Sequence, residues 1–201
     1  MNLLFVDCCV RGKEKSRTYA LCESFLEELK RREADLAVKT LSVYKEDMNF
    51  LSREQLALRD DLEEKKDLSH PMFEYAKEFA SADYILIGAP YWDYSFPACL
   101  KTYIELTSVR DIAFTYVETG SKGLCRADRM MYISTAGGFV PGIHAGELYM
   151  KQICDFYGIE DFRTYCLEGI DIDGTDVEAK MREAHVAVRQ AAGNFLSEGD
   201  R

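Results

Sequence analysis

Apolar residues along this chain come in short blocks, each closed by glycine, proline or a charged turn, and the blocks alternate with longer amphipathic stretches. The first block, Asn2 to Cys9 (NLLFVDCC), is short and dense and reads as a buried strand. A basic loop containing a glycine, Val10 to Lys15, follows it. Ser16-Arg17-Thr18 then opens a long helix whose apolar positions Cys22, Phe25, Leu26 and Leu29 recur at helical spacing. Lys30-Arg31-Arg32 complements the dipole at the far end of that helix. Leu36 to Val43 alternates apolar and polar positions, as a more exposed strand does. Strand, helix and strand in this order predict a βαβ unit with a right-handed crossover.

Tyr44 to Ser69 is polar, with thinly spaced leucines, and predicts a loop followed by a surface helix; Pro71 starts a further helix through Ala82. Next comes the stretch around which the chain is organised, Tyr84 to Glu105 (YILIGAPYWDYSFPACLKTYIE). Tyr84 to Ile87 is wholly apolar, as in a parallel strand buried on both faces. Pro90 has no N–H for a sheet ladder and ends it. Pro97 suits the first turn of the next helix, which runs to Ser108. Between them Tyr91, Trp92, Tyr94 and Phe96 sit on a loop at the carboxyl end of a buried strand, where open α/β sheets bind ligands.

Val109 to Leu124 holds Ala113-Phe114-Thr115-Tyr116-Val117 before a glycine-rich turn, and predicts a short excursion outside the main sheet. Arg129 to Thr135 is the fourth strand and ends in Ala136-Gly137-Gly138. Ala145 to Tyr157 is a helix stopped by Gly158. Asp161 to Leu167 is the fifth strand, and Thr175 to Leu196 a closing helix with Thr175 as its N-cap. With no repeat, linker or low-complexity tract, the pattern predicts one domain over residues 1–201: a three-layer α/β sandwich on a five-stranded parallel sheet.

Composition narrows the function classes. A net charge of −10 argues against nucleic acid as a partner, because such proteins carry a basic stripe, but a local basic patch can still hold one phosphate. No apolar run approaches the ~20 residues that span a bilayer. Asp7 interrupts any signal-like N-terminal segment, so a cytoplasmic protein without membrane contact is expected. The seven cysteines are odd in number and form no Cys-x-x-Cys pair, which predicts reduced, largely buried thiols and no metal site.

In a parallel sheet the loops after the first, third and fourth strands leave at one edge, and these are the stretches with unusual chemistry. The first carries Cys9, Arg11, Lys13, Lys15 and Arg17, with the Ser16 and Thr18 hydroxyls at a helix start. Free N–H groups and the dipole make such a start a phosphate site, although Ser16 can equally be a plain N-cap. Neither Gly-x-x-x-x-Gly-Lys-Ser/Thr nor Gly-x-Gly-x-x-Gly is present, which disfavours nucleoside triphosphates and Rossmann-type dinucleotide binding. The second loop supplies flat aromatic faces. The third supplies Thr135-Ala136-Gly137-Gly138, whose glycines let a ligand approach backbone donors. A ligand with a phosphate at one end and a flat, polar-edged ring at the other fits all three; FMN has that shape.

Three motifs in this order, APYWDYSFPACLKTYIE (Ala89–Glu105), FTYVETGSKGL (Phe114–Leu124) and STAGG (Ser134–Gly138) with HAGELYMKQICDFYGI (His144–Ile159), resemble the flavodoxin-like NAD(P)H-dependent oxidoreductases, in particular the FMN-dependent azoreductase and quinone reductase branch. The resemblance covers most of the chain. It implies a flavodoxin-like sheet of order 2-1-3-4-5, and FMN held at its phosphate by Ser16, Arg17 and Thr18. It also implies that Pro90, Tyr91, Trp92, Asp93 and Tyr94 wrap the ring and ribityl chain, and that Thr135, Ala136, Gly137 and Gly138 meet the pyrimidine edge. Cys9 stands where such enzymes often have serine, and Asp93 where many have asparagine; a carboxylate cannot donate to flavin, so backbone N–H groups take that role.

NADH or NADPH would then reduce the flavin, and a quinone, azo or nitro compound would take its place as a small-molecule electron acceptor. The enzyme would be a homodimer, with Phe114 and Tyr116 walling the partner's pocket. His144 either serves as the catalytic proton donor or caps the following helix. Trp92 either lies against the ring or turns inward. Two other classes compete: a flavodoxin-type electron carrier, which the acidic charge suits, and a flavin-binding regulatory subunit.

Overall fold

The computed structural model describes residues 1–196, and the apolar blocks of the sequence pair there as five parallel strands. Residues 197–201, the end of the expected 1–201 domain, lie outside the described range. The strands are β1 (Asn2–Asp7), β2 (Ala37–Ser42), β3 (Tyr84–Gly88), β6 (Arg129–Thr135) and β7 (Asp161–Leu167). The excursion after Val109 is an antiparallel hairpin of its own, β4 (Phe114–Val117) with β5 (Gly120–Gly123). The main sheet runs β2-β1-β3-β6-β7. Leaving the hairpin aside, that is the expected 2-1-3-4-5.

Period-two alternation explains the layers. On one face Leu3, Phe5, Leu86, Met131 and Ile133 pack with Leu21, Phe25 and Leu29 of α1 (Arg17–Arg32) and with Ala184 and Val188 of α6 (Val177–Gly193). On the other, Leu4, Val6, Ile85, Ile87, Met130 and Tyr132 meet α3 (Glu74–Ser81), α4 (Ala98–Thr107) and α5 (Ala145–Tyr157). The polar stretch before Ser69 holds α2 (Arg53–Glu64), started by a capping box between Ser52 and Gln55 and exposed along most of its length. Leu62, its one buried residue, packs in a small cluster with Phe73, Ala76 and Val109, and Arg59 donates to the Glu105 carbonyl.

The differences from the sequence reading have local causes. β1 stops at Asp7, not Cys9, because the Asp7 carboxylate accepts the Cys9 N–H at 2.9 Å and turns the chain. Val43 begins a 3-10 turn instead of ending β2. Pro97 occupies the N-cap position of α4, one residue before the helix. The N-cap of α6 is Asp176, which accepts the Ala179 N–H at 2.9 Å, and the Thr175 hydroxyl donates instead to the Gly169 carbonyl. The closing helix ends at Gly193, short of Leu196. Phe114 does not form an exposed wall: it is buried against Phe156, with ring centroids 4.3 Å apart. Tyr116 alone of the two aromatics is exposed.

Candidate functional site

The first site loop is shaped by a buried carboxylate. Asp7 is fully buried at the end of β1 and accepts from both the Cys9 N–H and the Ser42 hydroxyl, the latter at 3.0 Å. Gly12, at φ +76°, then folds the loop back so that its carbonyl accepts the Lys15 and Ser16 N–H groups. Only glycine adopts that backbone at no steric cost. The fold-back delivers Ser16 as N-cap of α1, its Oγ accepting the Tyr19 N–H at 3.2 Å.

The Arg17 and Thr18 N–H groups donate to nothing among the described residues, so they are open to an anion. The Ser16 hydroxyl keeps its own proton to donate. The Thr18 hydroxyl, fully buried, bonds to that of Thr135 at 2.7 Å and ties the first loop to β6. One proton of that pair is shared and the other stays free. Burial pushes the Cys9 thiol far above its ordinary range, and it faces the Gly88 carbonyl at 3.6 Å. That is a neutral thiol, not a nucleophile.

The second loop remains pinned to β6 beyond Pro90, because the Tyr91 N–H donates to Thr135 O at 2.9 Å. Trp92 and Ser95 then exchange both backbone hydrogen bonds, and Asp93 and Tyr94 between them have φ of +48° and +66°. Positive φ at both central residues is a type I′ turn, a strained choice for tyrosine. Trp92 is held at the cavity wall, 38% exposed, and is not turned into the seam between strand and helix. Asp93 and Tyr94 stand at the turn tip, outside the cavity lining.

In the third loop Ala136 is buried and donates to the Leu167 carbonyl, while Gly137 and Gly138 accept from Asp171 and Gly169, each at 2.9 Å. Their own N–H groups make no hydrogen bond among the described residues. A Cβ on Gly137 would lie 2.6 Å from Asp171 Oδ2, so a side chain there would have to push the carboxylate aside.

These loops enclose a cavity of about 320 Å³ at the carboxyl edge of the sheet. Cys9, Arg11, Ser16, Arg17 and Thr18 line it from the first loop, Pro90, Tyr91 and Trp92 from the second, and Thr135 and Gly137 from the end of β6 and the third. Asp93, Tyr94, Ala136, Gly138 and His144 do not line it. Val10, Ile170 and Asp171 do, and sequence reasoning passed over them. The only signal for the last two was their place just past the end of an edge strand.

His144 is the N-cap of α5: Nδ1 accepts the Glu147 N–H at 3.1 Å, which puts the ring proton on Nε2, 3.2 Å from Ser134 Oγ. Burial lowers its pKa, which favours the neutral ring. It packs edge-on to Tyr91 at 4.8 Å, and on its other side borders a second cavity of about 570 Å³ with Ile143, Glu147 and Cys166. All seven cysteines are free, and the described residues contain no cluster of metal-ligating side chains.

The cavity fits a phosphate-bearing flavin. The first loop brings uncommitted N–H donors and cations to it, the second an indole and a phenol, and the third a backbone without a side chain at Gly137. Comparison with known proteins agrees with that fit. A family model described as flavodoxin-like fold matches residues 1–192. The chain is 36% identical over 200 residues to an FMN-dependent NADH:quinone oxidoreductase of Clostridium acetobutylicum, covering 96% of this chain and 99% of that protein. It is 33% identical over 196 residues to an FMN-dependent NADH:quinone oxidoreductase of Lachnoclostridium phytofermentans, again covering 96% and 99%. An FMN-dependent NADH-azoreductase of Bacillus anthracis, solved in complex with FMN, superposes with a TM-score of 0.84 at 21% identity over 98% of this chain and 99% of that one. At that identity the superposition speaks for the fold alone.

Proposed function

The chain belongs to the family of the flavodoxin-like fold, and from that premise we propose that it is an FMN-dependent oxidoreductase that passes reducing equivalents from NADH to a quinone, with azo or nitro compounds as further acceptors. The observation that carries this reading is the single cavity that joins free N–H donors at the α1 start to the faces of Trp92 and Tyr91. The printed activities of the Clostridium and Lachnoclostridium relatives support it.

When bound, FMN supplies the hydride-accepting and hydride-donating centre, and the protein places it. We assign the phosphate to the Ser16 hydroxyl and to the Arg17 and Thr18 N–H groups. The indole of Trp92 orients the ring and excludes water from one of its faces. The Gly137 N–H, free and at the cavity, would supply a donor to the ring edge, where a reduced flavin carries negative charge, as an oxyanion hole does, with the free Gly138 N–H next to it in the chain. His144 orients Tyr91 and the α5 start and, with its Nδ1 occupied, is a weaker candidate for proton transfer than as a positioning group. Asp93, at the turn tip outside the cavity lining, is given no contact with the ring.

The acceptor site is completed by a second copy in this reading. Tyr116 and Val117, exposed on the hairpin, support a homodimer whose partner hairpin covers the outer face of the flavin. None of the described helices is long and apolar enough to cross a membrane. The free thiols suit a reducing compartment, and we assign the enzyme, as one domain, to the cytoplasm.

Steady-state oxidation of NADH with menadione as acceptor tests the proposal, alongside the visible spectrum of the purified protein. A yellow protein that turns over NADH supports it. A yellow protein that does not oxidise NADH is a carrier, and a colourless one that takes up no added FMN overturns the cofactor.

A further inference from the structure

Among the cations of the first site loop, Arg17 differs from the rest. Arg11, Lys13 and Lys15 form no ion pair among the described residues, whereas Arg17 Nη1 lies 2.7 Å from Asp171 Oδ1. The two residues are 154 positions apart and reach each other across the mouth of the cavity, which both line. Asp171 is also fixed from behind. Its N–H donates to Gly137 O at 2.9 Å, and its second carboxylate oxygen lies 2.6 Å from where a Cβ on Gly137 would stand. A carboxylate therefore stands beside the anion-binding start of α1, held there by the loop after β6.

We propose that Asp171 is a built-in competitor for the phosphate: it occupies Arg17 as a counter-ion that the phosphate must displace, and so sets how far the cavity prefers FMN over the phosphate-free flavin, riboflavin. The inference rests on the FMN reading above. Side-chain exposures of 39% for Arg17 and 65% for Asp171 mark the pair as solvated and screened, which makes it weak and readily exchanged. A phosphate dianion bound to the α1 N–H groups and the Ser16 hydroxyl is the stronger partner for the guanidinium. Its entry converts Asp171 from a satisfied counter-ion into a like charge beside it, so part of the phosphate's binding energy is cancelled. Riboflavin brings no such charge and leaves the Arg17–Asp171 pair intact.

The test is a set of dissociation constants for FMN and for riboflavin, measured by titration of the flavin-free full chain in the wild type, Asp171→Asn, Arg17→Gln and the double variant. Removing the carboxylate charge should tighten FMN by about three- to fivefold, the scale of an exposed ion pair, and change riboflavin by less than twofold. In the Arg17→Gln background the same change should gain less than half as much, because there is no guanidinium left to release. Raising the salt concentration should shrink the wild-type-to-Asp171→Asn difference, a check on the wild type that needs no further variant.

Equal gains for FMN and riboflavin would overturn the proposal, since Asp171 would then act on the ring end. An undiminished gain without Arg17 would overturn it too, as plain repulsion would suffice. Weaker FMN binding by a folded Asp171→Asn, checked by its urea midpoint, would mean that the pair pre-organises the cavity and does not compete. Failure of the wild type to bind FMN at all would instead remove the cofactor reading, and this inference with it.

Discussion

The Ser16 and Thr18 hydroxyls, alike in the sequence, should behave differently when removed. Ser16→Ala deletes an N-cap and a donor that faces the cavity. The cap is worth about 1 kcal/mol of stability, and a hydrogen bond to a charged phosphate about 1.5–3 kcal/mol of affinity. At 1.4 kcal/mol per tenfold, FMN should bind roughly ten- to a hundredfold more weakly. Thr18→Val keeps the volume of a fully buried side chain but deletes the 2.7 Å bond to Thr135. Thr135 is 7% exposed, so water replaces the lost partner poorly, and a buried hydroxyl left without one costs about 1–3 kcal/mol. The freed Thr135 hydroxyl still carries a proton for the ligand, so FMN affinity should change by less than about threefold.

The assay is calorimetric titration of FMN into each flavin-free variant, with urea unfolding of the same preparations. Ser16→Ala should appear mainly in the titration, and Thr18→Val mainly in the unfolding midpoint. If Thr18→Val loses more FMN affinity than Ser16→Ala while its midpoint is unchanged, the assignment of the two hydroxyls is wrong. The Thr18–Thr135 bond would then have to open on binding.

Three more outcomes follow from the geometry. Trp92, the sole tryptophan, lines the cavity, so bound FMN should quench its fluorescence, and Trp92→Ala should weaken FMN by about 0.5–1.5 kcal/mol; an unaltered FMN titration in a folded Trp92→Ala would rule out the stacking role. Gly123→Ala would place a Cβ 2.0 Å from the Tyr157 carbonyl carbon, a backbone atom that cannot turn aside; differential scanning should show a loss of about 1–3 kcal/mol, and an unchanged Tm would contradict the close hairpin contact. Burial holds the His144 pKa below its ordinary 6.5, so the unfolded chain takes that proton more readily; its stabilising effect is complete above 6.5 and is lost as pH falls below it. His144→Asn caps without titrating, so the acid-side decline in urea midpoint should be shallower in the variant, and identical pH curves would show that the cap does not couple to pH.

The sheet was legible because both of its signals are local. Short blocks such as Tyr84–Ile87 are too apolar for anything but a strand buried on two faces, and the helices between them carry clear stripes. Boundaries were less legible, because adjacent residues can perform the same task. Thr175 and Asp176 are both good caps, and what selects Asp176 is the pull of the Gly169 carbonyl on the Thr175 hydroxyl. The type I′ turn at Asp93-Tyr94 lacks the glycine that normally announces it. Its consequence, a tip pointing away from the cavity, was therefore invisible. Phe114 and Tyr116 lie on the same face of a strand by sequence, yet only the nearness of Phe156 decides which of them is buried. Asp171 was the hardest to find: its residue type and neighbours are ordinary, and its place in the site exists only once β7 is laid beside β6.

How a chain with a net charge of −10 can hold a phosphate follows from the same hydrogen bonds. In the first and third site loops the glycine carbonyls are already spent on protein N–H groups: Gly12 on Lys15 and Ser16 of its own loop, Gly137 on Asp171 and Gly138 on Gly169 of the loop after β7. Partial negative charge is thereby turned away from the cavity, while the N–H groups of Arg17, Thr18, Gly137 and Gly138 are left without partners on the inner side. These donors act at contact distance, where hydrogen bonding dominates. Apart from Asp7, none of the described carboxylates is buried, and salt screens such solvated charges over ~10 Å. Of the two carboxylates at the site, Asp7 is buried behind the first loop and accepts from Cys9 and Ser42, and Asp171, which lines the cavity, is paired with Arg17. Local polarity can therefore oppose the overall charge, provided the loops are tied to one another firmly enough that no carbonyl swings inward.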